Sequence, residues 1–292
     1  MRITDNMRLF NVGRNLSQLS TRQAAASDQA SSGLKVRKPS DDPVAAAKLA
    51  RISAALEQAS AFRETIHSTQ SDAASAEGAL SESIDLFARA RELAIQGANG
   101  SLNAENRAVL ARETASLRAQ LLSLANSKGA SGYLFSGNKT QTAAFDGTGT
   151  YQGDSGTRDI EVAPGVVVSV AIAGEEAFAG IPGGVNVFDE LANLESALLT
   201  NNGTLISASL GGLDAARAQL TESRSRAGIV QNRLDMADNS LAQGELGLTK
   251  QQSSLADVDA FEAVSELSQV GTTLEQAISV ARNILNTSLL RF

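Results

Sequence analysis

The 292 residues carry a formal net charge of -7 and contain neither Cys nor Trp. An acidic surplus excludes a dedicated nucleic-acid binder, which needs a concentrated excess of Lys and Arg, and the lack of Cys excludes a disulfide framework, a thiolate metal site and a thiol nucleophile. With 42% hydrophobic but only 4% aromatic residues, burial falls to Leu, Ala, Val and Ile, a composition suited to thin helical bundles.

The opening stretch Met1-Arg2-Ile3-Thr4-Asp5-Asn6-Met7-Arg8 has neither the apolar run nor the small-residue cleavage site of a secretory signal. No run of about 18 apolar residues occurs anywhere, so neither a cleaved signal nor membrane insertion is expected. Leu9, Val12, Leu16, Leu19, Gln23, Ala26 and Ala30 then step by three and four, which keeps one helical stripe facing a partner, and the helix should end near Gly33.

The turn Lys38-Pro39-Ser40-Asp41-Asp42-Pro43 opens a second helix, with Asp41 or Asp42 as its cap and Pro43 at the first helical position. Leu49, Ile52, Leu56, Leu80, Ile84 and Phe87 continue an apolar face until Gly97-Ala98-Asn99-Gly100 breaks it. A third helix is predicted from about Asn103 to Ser127.

Half of the glycines, 12 of 24, fall between Gly129 and Gly184, together with Pro164 and Pro182. Asp159-Ile160-Glu161-Val162 alternates and Val166 to Ile172 is β-branched and apolar, so this region reads as a small β-rich insert. Beyond it Ile206, Leu213, Leu220, Ala227, Leu234, Leu241, Leu248 and Leu255 recur every seventh residue, with the mixed companions Arg217, Arg224, Val230 and Ala237. That pattern predicts one long helix packed among several others.

The last segment repeats the 3-4 stepping through Val264, Leu267, Gly271, Leu274, Ile278, Ala281, Leu285 and Ser288. Matching stripes at both ends either bury against each other or await another subunit. The expected assembly-interface residues are Leu9, Val12, Leu16, Leu19, Val264, Leu267, Leu274, Ile278 and Leu285, with most of the burial near Leu16, Leu19, Leu274, Ile278 and Leu285.

The sequence offers no catalytic, cofactor-binding or metal-ligating set. His67 has no second His or Cys to share a metal or support a nucleophile. The stretch from Phe145 to Gly156 lacks the Gly-Lys-Ser/Thr of a phosphate loop, and Tyr151 and Thr157 stand where a calcium loop starting at Asp146 needs Gly and an acid. The basic cluster Lys35, Arg37 and Lys38 sits close to Asp41 and Asp42, as a locally paired loop would. The motifs Asn99-Gly100-Ser101 and Asn202-Gly203-Thr204 occur by chance in so Ser/Thr-rich a chain and receive no role.

Several segments carry a resemblance. Gln29-Ala30-Ser31-Ser32-Gly33-Leu34-Lys35-Val36 with the Pro-Ser-Asp-Asp-Pro turn at 39–43, Arg91-Glu92-Leu93-Ala94-Ile95-Gln96-Gly97-Ala98-Asn99-Gly100, and Asn283-Ile284-Leu285-Asn286-Thr287-Ser288-Leu289-Leu290 resemble the bacterial flagellin superfamily. Met1-Arg2-Ile3-Thr4, the 39–43 turn, and Gly132-Tyr133-Leu134-Phe135-Ser136-Gly137-Asn138-Lys139-Thr140 followed by Tyr151-Gln152-Gly153-Asp154 are more similar to members at the hook-filament junction. The ending Leu289-Leu290-Arg291-Phe292 is similar to filament flagellins, which makes a filament subunit the alternative.

The resemblance implies a mainly α fold, an elongated flagellin-like helical bundle formed by the N- and C-terminal segments with a small β-rich insert in the middle. Its expected parts are terminal coiled-coil helices at 1–38 and 256–292, a helical rod domain at 39–131 and 186–255, and the outer insert at 132–185. It also implies a structural, non-enzymatic subunit of the flagellum that joins hook-associated protein 1 on the hook side to the flagellin filament and self-associates in a ring. An export chaperone and passage through the flagellar type III apparatus to the cell exterior belong to the same expectation.

Overall fold

The computed structural model describes residues 2–170 and 172–289, and the side chains of residues 7, 10–170 and 172–285. Six α-helices account for most of it: α1 (Arg2–Ser32), α2 (Pro43–Ala98), α3 (Ala104–Ala125), α4 (Val187–Leu199), α5 (Gly203–Ala256) and α6 (Ala260–Leu289). Between α3 and α4 lie two antiparallel strand pairs, β1 (Lys128–Gly129) with β2 (Gly132–Tyr133) and β3 (Asp159–Ala163) with β4 (Val166–Ser169), then a π-helical turn at Glu175–Ala179. The contacts divide the molecule into one unit of residues 1–58 and 244–292 and another of residues 59–243. These divisions fall within α2 and α5, whereas position 38 lies in the loop between α1 and α2 and position 256 is the last residue of α5.

In the first unit α1 and α6 lie against each other. The backbone leaves α1 through Gly33, whose φ of 70° suits a residue without Cβ, and Gly33 N–H donates to the carbonyl of Gln29 at 2.9 Å. Leu34 forms an antiparallel bridge with Asp257, with Lys35 N–H to Ala256 O at 2.6 Å and Val258 N–H to Gly33 O at 3.0 Å. The end of α1 is thereby tied to the start of α6, so the two helices run antiparallel. Along α1 the described side chains that lose exposure are Val12, Leu16, Leu19, Gln23, Ala26 and Ala30, the stripe that the 3-4 stepping predicts, together with Gln29 beside it.

The turn into α2 is held by two adjacent carboxylates with different tasks. Asp41 Oδ2 accepts the backbone N–H groups of Lys38 and Arg37 at 2.9 and 3.1 Å, and these bonds hold its carboxyl below its ordinary value. Asp42 Oδ1 accepts from Val44 and Ala45 N–H, both at 2.9 Å, and so caps α2 with Pro43 at the position where no N–H is needed.

The second unit has an apolar core drawn from all four of its helices, with Leu80, Phe87, Leu93, Leu121, Leu191, Leu194, Leu198 and Ile206 almost wholly removed from water. The seven-residue repeat of α5 supplies Ile206, Leu213, Leu220, Ala227 and Leu234 to the buried side, and Leu241, Leu248 and Leu255 are half-buried. Its companion seam differs from the expected one. Ser209, Ala216, Ser223, Val230 and Ala237 line it, while Arg217 and Arg224 point outward and Arg224 pairs with Glu77. Small side chains there let the neighbouring helices approach, and a guanidinium would be stranded.

Gly97 closes α2 for a packing reason, since a Cβ there would stand 2.5 Å from Leu198 Cδ2. Asn103 caps α3 by accepting from Asn106 N–H at 2.8 Å, and Asn202 caps α5 by accepting from Thr204 and Leu205 N–H, each at 3.1 Å. In the insert, the β3-β4 hairpin pairs Ile160 with Val168 and turns at Gly165. Val162 and Val170 join Ile66 and Ala73 of α2 and Val230 and Leu234 of α5 in a second apolar cluster. The rest of the insert is mostly turn.

Candidate assembly surface

The 30 residues of α6 bury one seam and leave another open. Ala263, Leu267, Val270, Leu274, Ala277, Ala281 and Ile284 alternate steps of four and three, and all are buried or half-buried. Among the described residues these are the α6 side chains that face the α1 pairing. Val264, Ile278 and Leu285, separated by multiples of seven, lie beside that seam and are 59%, 38% and 46% exposed. Gly271, at the same repeat position, leaves a smooth stretch of backbone between Val264 and Ile278.

A 3-4 ladder can be threaded along this helix in two ways, through 263, 270, 277 and 284 or through 264, 271, 278 and 285, both sharing 267, 274 and 281. The expectation from sequence follows the second ladder, and the α1-α6 pair uses the first. Of the expected interface residues, Val12, Leu16, Leu19, Leu267 and Leu274 are therefore engaged within the molecule, whereas Val264, Ile278 and Leu285 stand outward. The side chain of Leu9 lies outside the described residues, as do the side chains of the Met1-Arg2-Ile3-Thr4 motif and of the C-terminal Leu289-Leu290-Arg291-Phe292. Phe261, at the start of α6, is 86% exposed and extends the open apolar character toward the helix N-terminus.

The second notable constellation is the residue set around Gly132–Thr140. Phe135 is fully buried and meets Phe178 edge-on with ring centroids 5.1 Å apart, and Phe145 contacts Tyr151, Phe178 and Phe188 at 5.2, 5.6 and 5.1 Å. Tyr151 anchors this cluster by donating its hydroxyl to the carbonyls of Asp154 at 2.9 Å and Phe135 at 3.2 Å. Burial pushes its phenol up to about 12, with the charges of Glu175 and Asp154 adding to the shift. Asp154 in turn accepts from Asn138 and Gly156 N–H through Oδ1. The Leu-Phe-Ser-Gly and Tyr-Gln-Gly-Asp motifs are thus two halves of one structural knot at the base of the insert.

Three polar side chains that join distant backbone segments escaped sequence reasoning. Arg107 of α3, buried, donates to the carbonyls of Gly97 at 2.8 Å and Asn99 at 3.1 Å and to the side chain of Asn201. Gln219, half-buried, accepts from Val185 N–H at 2.9 Å and donates to Ala177 O and Val185 O, both at 3.0 Å. Asp72, buried, accepts from Ala130 N–H at 2.7 Å and meets Arg158 at 3.4 Å. A lone polar residue on a helix gives no local sign that it will be covered.

The residues weighed for chemistry are all accounted for locally. His67 is exposed, with Nδ1 3.1 Å from Gln70 Oε1 and Nε2 3.7 Å from Asp238. Arg37 pairs with Asp28 at 3.5 Å. Asp146 Oδ1 accepts the hydroxyl and N–H of Thr148 and the N–H of Thr150, while Oδ2 accepts from Gln152, and these bonds hold its carboxyl at about 2. A carboxylate so saturated by its own turn has little left to offer an ion. Asn99 and Asn202 each hold a turn or cap through their side-chain oxygens. Among the described residues no group of three or more His, Cys, Asp and Glu could hold a metal, and no helix is long and apolar enough to cross a membrane.

Two terminal helices paired through an apolar seam, long continuing helices and a compact insert describe an assembly subunit, and sequence comparison agrees. Residues 3–140 match the bacterial flagellin N-terminal helical region and residues 210–292 match the C-terminal helical region, so the chain belongs to the bacterial flagellin family. It is a structural component of the bacterial flagellum and not an enzyme.

Within that family it is similar to flagellar hook-associated protein 3 of Escherichia coli, at 28% identity over 286 residues that cover 90% of each protein. A Vibrio parahaemolyticus structure provisionally assigned as a flagellar hook-associated protein superposes with a TM-score of 0.69 at 27% identity, covering 74% of this chain and all of that one. The flagellar junction protein of Legionella pneumophila shares the fold, with a TM-score of 0.59 at 20% identity over 72% of this chain and 100% of its own.

Proposed function

We propose that this protein is the adaptor between hook and filament, joining hook-associated protein 1 on one side to flagellin on the other within a ring of its own copies. The observation that carries the reading is the open ladder of α6. Pairing α1 with α6 inside one molecule leaves Val264, Ile278 and Leu285 uncovered, and neighbouring subunits in a ring would cover them. Burying each such side chain contributes about 1.5 to 3 kcal/mol, and repetition around a ring multiplies the gain.

In this reading the paired termini form the inner wall of the tube, the long helices form a second layer, and the insert at 132–185 faces outward. Before assembly the exposed ladder is an aggregation hazard. A dedicated chaperone shielding α6 during passage through the type III apparatus would remove it, and the mature subunit would lie outside the cell. Similarity to hook-associated protein 3 favours this position over that of a filament flagellin.

Immunogold microscopy of intact flagella separates the two. Label in a single band at the filament base is expected. Label along the whole filament would replace the adaptor reading with that of a filament subunit.

A further inference from the structure

Asn99 and Gly100 occupy the exposed turn between α2 and α3. Asn-Gly pairs form turns because the Asn side chain bonds the backbone two residues on and Gly adds no steric barrier. Here Asn99 Oδ1 accepts the N–H of Ser101 at 3.1 Å and its hydroxyl at 3.0 Å. Two donors thus converge on the oxygen where negative charge collects when a nucleophile adds to the amide carbon, the arrangement that stabilises a tetrahedral oxyanion. The adjoining nucleophile is the backbone nitrogen of Gly100. Among the described residues its N–H donates to no acceptor, and the space beside its Cα is open.

We propose that Asn99 is a site of spontaneous deamidation through a succinimide formed with Gly100. The Gly100 nitrogen yields its proton to solvent and bonds to Asn99 Cγ, and the bond from Cγ to the amide Nδ2 breaks to release ammonia, which takes a proton back from solvent. Water then opens the five-membered imide at either carbonyl, leaving aspartate or isoaspartate. The net exchange is one water for one ammonia, with no change of oxidation state.

The same dipeptide at Asn202-Gly203 serves as an internal contrast. Asn202 Oδ1 likewise accepts two donors, the N–H groups of Thr204 and Leu205, so the oxygen does not separate the two sites; what separates them is that Asn202 caps α5 and Gly203 is the first residue of that helix. Ring closure there has to undo the first helical turn. The carbonyl of Asn99 is also the one that accepts from Arg107 Nη2. Isoaspartate inserts a methylene into the backbone at that point, so ageing at Asn99 loosens the joint that Arg107 makes.

The test is peptide mapping by mass spectrometry of the full-length protein aged at neutral and mildly alkaline pH, folded and in urea. In the folded protein Asn99 is expected to deamidate severalfold faster than Asn202, with two chromatographic products and a rate that rises with pH. In urea the two rates should converge, because Asn-Gly-Ser and Asn-Gly-Thr differ little as peptides. Ser101→Ala, which deletes only the hydroxyl donor, should slow the folded-state reaction at Asn99 severalfold. Equal rates at the two sites in the folded protein, protection of Asn99, or an unchanged rate in Ser101→Ala overturns the proposal.

Discussion

The Nε–H of Arg107 donates to the backbone oxygen of Gly97 at 2.8 Å, so the last turn of α2 is capped by a side chain from α3. Arg107 is 7% exposed, and its fork also reaches the carbonyl of Asn99 and the side chain of Asn201. Helix C-terminal carbonyls carry the partial negative charge that makes a buried guanidinium tolerable there.

Arg107→Ala removes the donors and leaves carbonyls at the end of α2 unsatisfied. It should lower stability by about 3 kcal/mol, since bonds to charged groups contribute more than neutral ones. Arg107→Lys, with no planar fork, should recover only part of that. Urea titration of the full-length protein reads both, and a midpoint unmoved by Arg107→Ala sinks the capping role.

Phe145 touches three aromatic neighbours and is 2% exposed. Phe145→Ala should cost about 3 to 5 kcal/mol by leaving a cavity that the surrounding rings cannot fill. The loss should be seen in the near-ultraviolet circular dichroism of the aromatic cluster before helical content falls. Retention of that signal at wild-type denaturant concentrations would falsify the central position of Phe145 in the knot.

The Asp146 turn carries an acid dependence whose sign follows from its lowered pKa. A carboxyl held at about 2 against an ordinary value of 3.8 stabilises the folded turn fully above 3.8 and loses that contribution as pH falls toward 2. Asp146→Asn should therefore lower the thermal midpoint at neutral pH, and the gap to wild type should shrink between pH 4 and about 2. A gap that stays constant across this window would show that the carboxylate's charge plays no part.

The two ladders of α6 can be separated by paired substitutions. Ile278→Asp places a charge on the open face, so the free protein should keep its helical content while flagellar assembly fails. Leu274→Asp strikes the seam against α1 and should lower both, with a stability loss of about 2 to 5 kcal/mol. Normal filament attachment by Ile278→Asp would remove the open ladder from the interface.

Local signals made the helix ends legible. Gly33 after α1, the Asp42-Pro43 entry to α2 and the Asn103 cap of α3 each depend on one or two residues acting on their nearest backbone neighbours. The heptads of α5 were legible for a related reason, because a repeat sustained from Ile206 to Leu255 can only be one side of a helix. The β3-β4 hairpin announced itself by alternation and a Gly-containing turn.

Tertiary structure alone decided which ladder of α6 faces α1. Val264 and Ile278 satisfy a 3-4 spacing as well as Ala263 and Ala277 do, and they are larger, so composition drew attention to the ladder that stays open in the single molecule. Small residues at 263, 277 and 281 are what allow close approach of an antiparallel partner, a benefit invisible until the partner is in place. The polar links made by Arg107, Gln219 and Asp72, and the meeting of Phe135, Phe145, Phe178 and Phe188, depend in the same way on residues distant in sequence. Periodicity and capping are properties of a single helix and can be read from it. The choice between two apolar faces is a property of the pair, and only the folded molecule makes it.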